Sequence, residues 1–255
     1  MTVDNTMIIS EMIQEELSSK IVKTESGDYK VVLRPSAISK SLEDKLSTDD
    51  ISVGMNVVLR QMKYSNLMSN LHSQCCNINC ISKDKCAFRA LPNGNTNADV
   101  MFISKMPTDY EVATMTSHTD RVGVLLSMIL KKMNVSRDSI YCTDMIKCNT
   151  QLDETSYYEC IHSYLDNEIE HVAPKVIVCN GLSVLKACSR TGTLKSLPVD
   201  VTYGKIYDAR TASDVPVKVI AVYDLDTVLQ KTGDDYTKCK SELWNQLVSA
   251  FQATI

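Results

Sequence analysis

Pro174-Lys-Val-Ile-Val-Cys-Asn-Gly181 is the stretch from which the fold can be read. Val176 to Cys179 form a continuous apolar run, largely β-branched, with a proline before it and a glycine after. A strand of this kind has no polar face, so it belongs inside a sheet covered on both sides. Runs of the same character recur at Asp99-Val-Met-Phe-Ile103, Ser139-Ile-Tyr-Cys142 and Val217 to Tyr223. Helical periodicity fills the intervals, at Arg121 to Met133, Glu154 to Val172, Gly181 to Cys188 and Tyr236 to Phe251. The alternation predicts an α/β fold, a three-layer α/β/α sandwich with a mainly parallel central sheet. Ligands of such sheets bind beyond the carboxyl ends of the strands. Those ends are Ser104 to Thr108, Thr143 to Cys148, Asn180-Gly181 and Tyr223 to Thr227.

Outside this rhythm the chain changes character. Residues 1–65 read as an N-terminal appendage, and 66–255 as the α/β domain. In the appendage Ile9, Ile13, Leu17 and Ile21 recur every four positions with Glu11, Glu15 and Glu16 between them, the pattern of a short amphipathic helix. Tyr29 to Leu33 is strand-like, residues 36–50 form a polar connector, and Val53 to Leu71 can form a helix. With 44% hydrophobic and 23% charged residues among 255, the chain can bury a core and is neither a linker nor a disordered tail. No apolar run approaches the ~18 residues of a membrane span. No basic segment followed by an apolar core opens the sequence, so an intracellular setting is expected: cytoplasm, or the nucleus or viral factory of a host cell. The net charge of −4 argues against indiscriminate nucleic-acid binding. Residues 61–150 nevertheless carry ten basic and seven acidic side chains, the one net-positive third, where a polyanion would bind.

Ten cysteines in such a chain point to metal or cluster ligation more than to a disulfide framework. Cys75, Cys76, Cys80 and Cys86 crowd one polar loop, whereas Cys142, Cys179, Cys188 and Cys239 sit in apolar or helical contexts and read as core. His72 reads as a solvated loop residue, and His162 and His171 as exposed helix residues. Met128, Met133 and Met145 read as core filling.

Taken in order, several motifs resemble those of the family 4 uracil-DNA glycosylases, which hold a [4Fe-4S] cluster. Asn95-Thr-Asn-Ala-Asp-Val-Met-Phe-Ile103 precedes the first strand end, and Val122-Gly-Val-Leu-Leu126 matches an Ala-Gly-x-Leu-Leu helix. Thr143-Asp-Met-Ile-Lys-Cys148 matches Thr-Asn-x-x-Lys-Cys. Cys160 follows one helix on, and then Pro174 to Gly181. The resemblance spans about residues 70–250 and implies a uracil-DNA glycosylase-like fold. It also implies a cubane cluster bound by four thiolates, here Cys76, Cys80, Cys148 and Cys160, with Cys75 or Cys86 as alternates in the loop. Zinc on the same cysteines is the alternative metal.

The positions that carry the family's chemistry depart from it. The Gly-Glu-Ala-Pro-Gly loop reads Ser104-Lys-Met-Pro-Thr108, so Lys105 replaces the carboxylate that activates water, and a protonated lysine is no base. His118 stands for the Phe that stacks on uracil, and Asp144 for the uracil-reading Asn, where an ionised carboxylate only accepts hydrogen bonds. Asp224 occupies the place of the His that stabilises the departing base, and its charge opposes the developing anion.

Together these readings describe a catalytically degenerate glycosylase fold. Its expected role is as a DNA- or protein-binding accessory in replication or repair, of a kind suited to a virus. Weak, sequence-independent DNA contact is expected through Lys83, Lys85, Arg89 and Lys105. Two alternatives stay open. One is an active glycosylase that uses Asp144, Asp224 or Asp226 on uracil or another damaged base, with His118, Tyr110 or Tyr223 stacking. The other is a protein–protein adaptor without nucleic-acid contact. No membrane partner is expected.

Overall fold

A computed structural model of the chain describes residues 21–23, 29–31, 64–69 and 89–254. Its backbone divides into two compact units, residues 1–66 and 67–255. In the first, β1 (Ile21–Lys23) and β2 (Tyr29–Val31) pair antiparallel, with Ile21 opposite Val31. The apolar stripe read as a helix therefore ends on a strand residue, and Ile9, Ile13 and Leu17 lie outside the described residues. Of the helix expected over Val53 to Leu71, residues 64–69 are described and are helical.

The second unit is built on a seven-stranded sheet of order β3-β5-β4-β6-β9-β8-β7. Its strands are β3 (Asn93–Gly94), β4 (Val100–Ser104), β5 (Ile140–Asp144), β6 (Val176–Asn180), β7 (Leu194–Lys195), β8 (Ile206–Thr211) and β9 (Pro216–Val222). β6, the strand first read from the sequence, is the central one. The pairs β5–β4, β4–β6 and β6–β9 are parallel, with Phe102 level with Cys142 on one side and Val178 on the other. Every residue of β4, β5 and β6 is buried, as unbroken apolar runs require. Antiparallel strands close both edges: β3 beside β5, and β8 and β7 beyond β9. No run signalled β8, because only Tyr207, Ala209 and Thr211 face inward, between exposed Asp208 and Arg210.

Helices cover both faces. They are α1 (Asp109–Ala113), α2 (Arg121–Lys132), α3 (Glu154–Cys160), α4 (Asp166–Val172), α5 (Leu182–Thr191), α6 (Leu225–Leu229) and α7 (Gly233–Gln252). Val100, Phe102, Cys142, Val178 and Val222 pack against α2, α6 and α7 in one apolar cluster. The intervening Met101, Ile103, Tyr141, Ile177 and Cys179 are fully buried and, by the two-residue period, face the other layer. There α5 rests on β6 and β9, and α4 on β8. The outcome is the three-layer α/β/α sandwich.

Two expectations fail on this scaffold. His171 is buried, because the last turn of α4 lies against the sheet before Ala173 (φ 48°) turns the chain into β6. Met128 is 57% exposed, because it sits on the outer side of α2 while Leu125, Leu126, Ile129 and Leu130 fill the inner side. The helix expected over Glu154 to Val172 is interrupted by a π-helical turn, Ile161–Leu165, directly after Cys160. Such turns gather at functional positions. Among the described residues no helix is long and apolar enough to cross a membrane.

Candidate functional site

The chain leaves β4 for β5 on one side and returns past β4 to β6 on the other, so the sheet's switch point lies between β4 and β6. Ser104 ends β4 and Asn180 ends β6, and Asn180 Nδ2 donates to Ser104 Oγ across that crevice at 3.0 Å. Asn180 Oδ1 in turn accepts from the Leu225 N–H at 2.9 Å, which ties the start of α6 to the same point.

From Ser104 the hydrogen bonds run on through His118. Its Nε2 is 2.9 Å from Ser104 Oγ and its Nδ1 is 2.5 Å from Ser117 Oγ. Ser117 Oγ donates to Asp144 Oδ2, at the end of β5, at 2.5 Å. A neutral imidazole offers one donor and one acceptor. With Asp144 ionised, Ser117 spends its only hydroxyl hydrogen on it, so His118 donates from Nδ1 and accepts at Nε2 from Ser104. One direction satisfies every member: Asn180 to Ser104 to His118 to Ser117 to Asp144. His118 is 5% exposed and meets Phe102 edge to face, with ring centroids 5.4 Å apart. It does not present an open ring at a surface.

This placement depends on unusual backbone. His118 has φ 57°, a left-handed conformation costly for a residue with a side chain. A Cβ at Gly123, in the first turn of α2, would lie 1.9 Å from the His118 carbonyl oxygen, so only glycine lets the loop approach the helix. Asp120 anchors the same turn, its side chain accepting from the N–H groups of Val122 and Gly123 at 2.9 and 3.3 Å.

Behind Asp144 lies a buried ion pair. Lys147 Nζ is 2.7 Å from Glu168 Oε1, with side-chain exposures of 2% and 0%. It also donates to Thr143 Oγ1 at 2.5 Å and the Asp144 carbonyl at 2.7 Å, while Thr143 Oγ1 donates to Glu168 Oε2 at 2.6 Å. Two hydrogen bonds and the ion pair hold the Lys147 ammonium in place, so Lys147 positions the strand end. In front, Glu111 of α1 is buried, accepts from the Thr108 N–H at 2.8 Å, and also accepts from the His118 backbone.

The electrostatics follow from burial. Loss of solvent lowers His118 to about 3, with the Arg137 and Lys147 cations opposing protonation further. Loss of solvent raises Asp144 to about 7, against the Ser117 hydrogen bond and the Lys147 charge, while Glu111 and Glu168 add repulsion. Burial raises Glu111 too. Burial therefore holds the Asp144 carboxyl well above the usual carboxylate range, where the sequence alone gives an ionised acid.

The structure brings together His118 and Asp144, and leaves the other two catalytic candidates outside this chain of bonds. Lys105 is exposed, one residue past Ser104. Asp224 is the N-cap of α6, its carboxylate accepting from the Thr227 N–H at 2.9 Å. Asp226 pairs with Arg121. Of the stacking candidates, Tyr110 is exposed, and Tyr223 is half-buried beside Tyr203, with ring centroids 4.7 Å apart. Ser117, Asn180, Glu111 and Glu168 were not singled out from sequence. Asn180 carried a signal as a strand end; Glu168 carried none.

Arg89, expected to contact phosphate, is 9% exposed, and the next residue, Ala90, donates its N–H to the Lys147 carbonyl at 2.9 Å. Lys83 and Lys85 lie outside the described residues, as do Cys75, Cys76, Cys80 and Cys86. Cys148 and Cys160 are both buried, at 6% exposure each. Two shielded thiols of this kind fit a metal or cluster that draws its remaining ligands from elsewhere. Among the described residues no cluster of three or more ligating side chains occurs.

Comparison with known proteins agrees with this geometry. Residues 91–248 match the family model of the uracil DNA glycosylase superfamily. Type-4 uracil-DNA glycosylase of Archaeoglobus fulgidus is 27% identical over 141 residues, 54% of this chain and 70% of that protein. The Type-4 enzymes of Saccharolobus solfataricus and Sulfurisphaera tokodaii are 25% and 31% identical over 119 and 92 residues. Those two alignments cover 45% and 34% of this chain, and 55% and 42% of the relatives. The family-model match covers more than half of the chain and includes every strand end of the site, and the relatives named here are all Type-4 enzymes, so the chain belongs to the uracil DNA glycosylase superfamily.

Proposed function

We propose that this protein binds DNA as an accessory in replication or repair and does not excise uracil. The observation that carries the reading is Asp224. The family places there a histidine that stabilises the leaving base, whereas this carboxylate is held by the Thr227 N–H as a helix cap. Support comes also from Lys105, a cation where the family has its carboxylate, and from Asp144 in place of the amide. Losing one such stabilising group costs about 10²–10³ in rate, and three together bring turnover to background. A second reading, a glycosylase acting on a different damaged base, is favoured by Asp144, whose proton is exchangeable near neutral pH.

A [4Fe-4S] cluster would be held by Cys148 and Cys160 with Cys76 and Cys80, or with Cys75 or Cys86 from the same loop. Its role would be to staple that loop to the two later segments. Zinc on these thiolates is the alternative. About four irons per chain in anaerobically purified protein supports the cluster, and stoichiometric zinc overturns it.

The functional test pairs two assays on the full chain. Single- and double-stranded oligonucleotides containing uracil should yield no abasic sites. Binding to the same duplex should weaken with salt by about 0.9 in log affinity per unit log salt for each phosphate contacted. Alanine at Lys83, Lys85 and Lys105 should flatten that slope. Abasic sites that disappear in Asp144→Ala would establish the enzyme reading. Absence of binding at low salt would leave the adaptor reading.

A further inference from the structure

Among the described residues nothing covers the outer surface of the α2–α7 layer. Between α2, α7 and the end of α6 runs a groove of about 640 Å³. Its floor is apolar, formed by Val124, Met128, Leu229 and Trp244. Val124 and Met128 are 56% and 57% exposed and stand one turn apart on α2. The residues that α2 contributes, 121 through 132 at helical spacing, make one stripe along its whole length, about 18 Å at 1.5 Å per residue. Three turns of a partner helix would match it.

The groove's charge selects the partner. Among the described residues no carboxylate lines it, while Arg121, Lys132 and Lys240 do. Arg121 is engaged by Asp226. Lys240 leans over the Tyr236 ring, its Nζ 5.3 Å from the centroid, so its charge stands at the groove's edge. Lys132 ends α2, where the helix dipole favours a cation and leaves it facing solvent. A nucleic acid would also meet these cations, but apart from Trp244 and Tyr236 the apolar lining is aliphatic, without the run of flat rings on which successive bases stack.

We propose that this groove docks an amphipathic helix of another protein, about three turns long, with apolar residues at i, i+4 and i+7 and carboxylates flanking them. The apolar ridge fills the floor between Met128 and Trp244, and the flanking carboxylates meet Lys132 and Lys240. The site is remote in chemistry from the strand ends and does not depend on whether DNA binds there.

The chain has a single tryptophan, Trp244, so its fluorescence reports occupancy of the groove directly. The probe is a designed 15-residue helical peptide with leucines at i, i+4, i+7 and i+11 and glutamates beside them. Its control carries lysines for the glutamates. The full chain should bind the acidic peptide with a blue shift of Trp244, at least tenfold more tightly than the lysine peptide. Met128→Glu should abolish that binding, and Lys132→Glu with Lys240→Glu should invert the preference. These side chains lie on the outer surface, so unchanged far-ultraviolet circular dichroism and thermal midpoint confirm that the variants fold. Equal affinity for both peptides, or no spectral change with either, overturns the proposal. So does a Trp244 shift produced by oligothymidylate instead, or concentration-dependent dimerisation that Met128→Glu removes.

Discussion

Replacing Asp144 by asparagine removes an ionisable proton while keeping the shape and the acceptor that Ser117 Oγ reaches at 2.5 Å. In the folded chain burial raises this carboxyl from 3.8 to about 7. A raised folded pKa means that the folded state binds the proton more tightly than the unfolded chain does. The resulting penalty is absent below pH ~4, grows as pH rises, and is complete above pH ~7. A shift of roughly three units corresponds to about 4 kcal/mol, at 1.36 kcal/mol per unit. His118, lowered to about 3, produces the opposite trend, destabilising the fold as pH falls below about 6.5. It is common to both chains and cancels in their difference. Any cost of the new amide N–H₂ is independent of pH and cancels in the slope. Urea denaturation of wild type and Asp144→Asn at pH 4.5, 6, 7.5 and 9 reads that slope. The variant's stability relative to wild type should rise by about 2–4 kcal/mol across the series, mostly between pH 5 and 8. Parallel stability curves would refute the reasoning and mean that Asp144 ionises as an exposed carboxylate does.

Three further outcomes follow from the same site. Gly123→Ala should destabilise the chain by about 2–3 kcal/mol in chemical melts, because its Cβ meets the His118 carbonyl oxygen at 1.9 Å; a gain of the ~1 kcal/mol expected from helix propensity would show that the loop yields freely. Lys147→Met should cost about 3–5 kcal/mol by leaving Glu168 charged and unpaired, and adding Glu168→Leu should recover most of it; equal losses in the single and double variants would contradict a compensated pair. Nitrogen NMR of His118 should show a neutral ring from pH 5 to 9, protonated at Nδ1 at the upper end where Asp144 is ionised; a charged ring in that range, or a proton on Nε2 at pH 9, would break the assigned direction of the hydrogen bonds.

Sequence alone determined the layers, because what it encodes most strongly is whether a segment has a polar face. β4, β5 and β6 are buried throughout and announce it with apolar runs that break only at their carboxyl ends. β8 buries one side only, and its Asp208 and Arg210 conceal it. The strand ends were legible for the same reason, since an apolar run stops where the site begins. Residue type also marked Lys105, Asp144 and Asp224 as departures from the pattern the resemblance implies. The state of those groups was not legible. Asp144 reads as an ionised acid until the fold removes its water and sets Glu111 and Glu168 near it, and only the approach of α4 gives Lys147 a partner 21 positions away. Met128 shows the same division in the core. Its apolar side chain reads as packing at any position on α2, and the tertiary arrangement of α2 and α7 decides that it faces outward. Periodicity is a property of neighbours along the chain, whereas burial, pairing and proton affinity are sums over groups that meet only when distant segments close on one another.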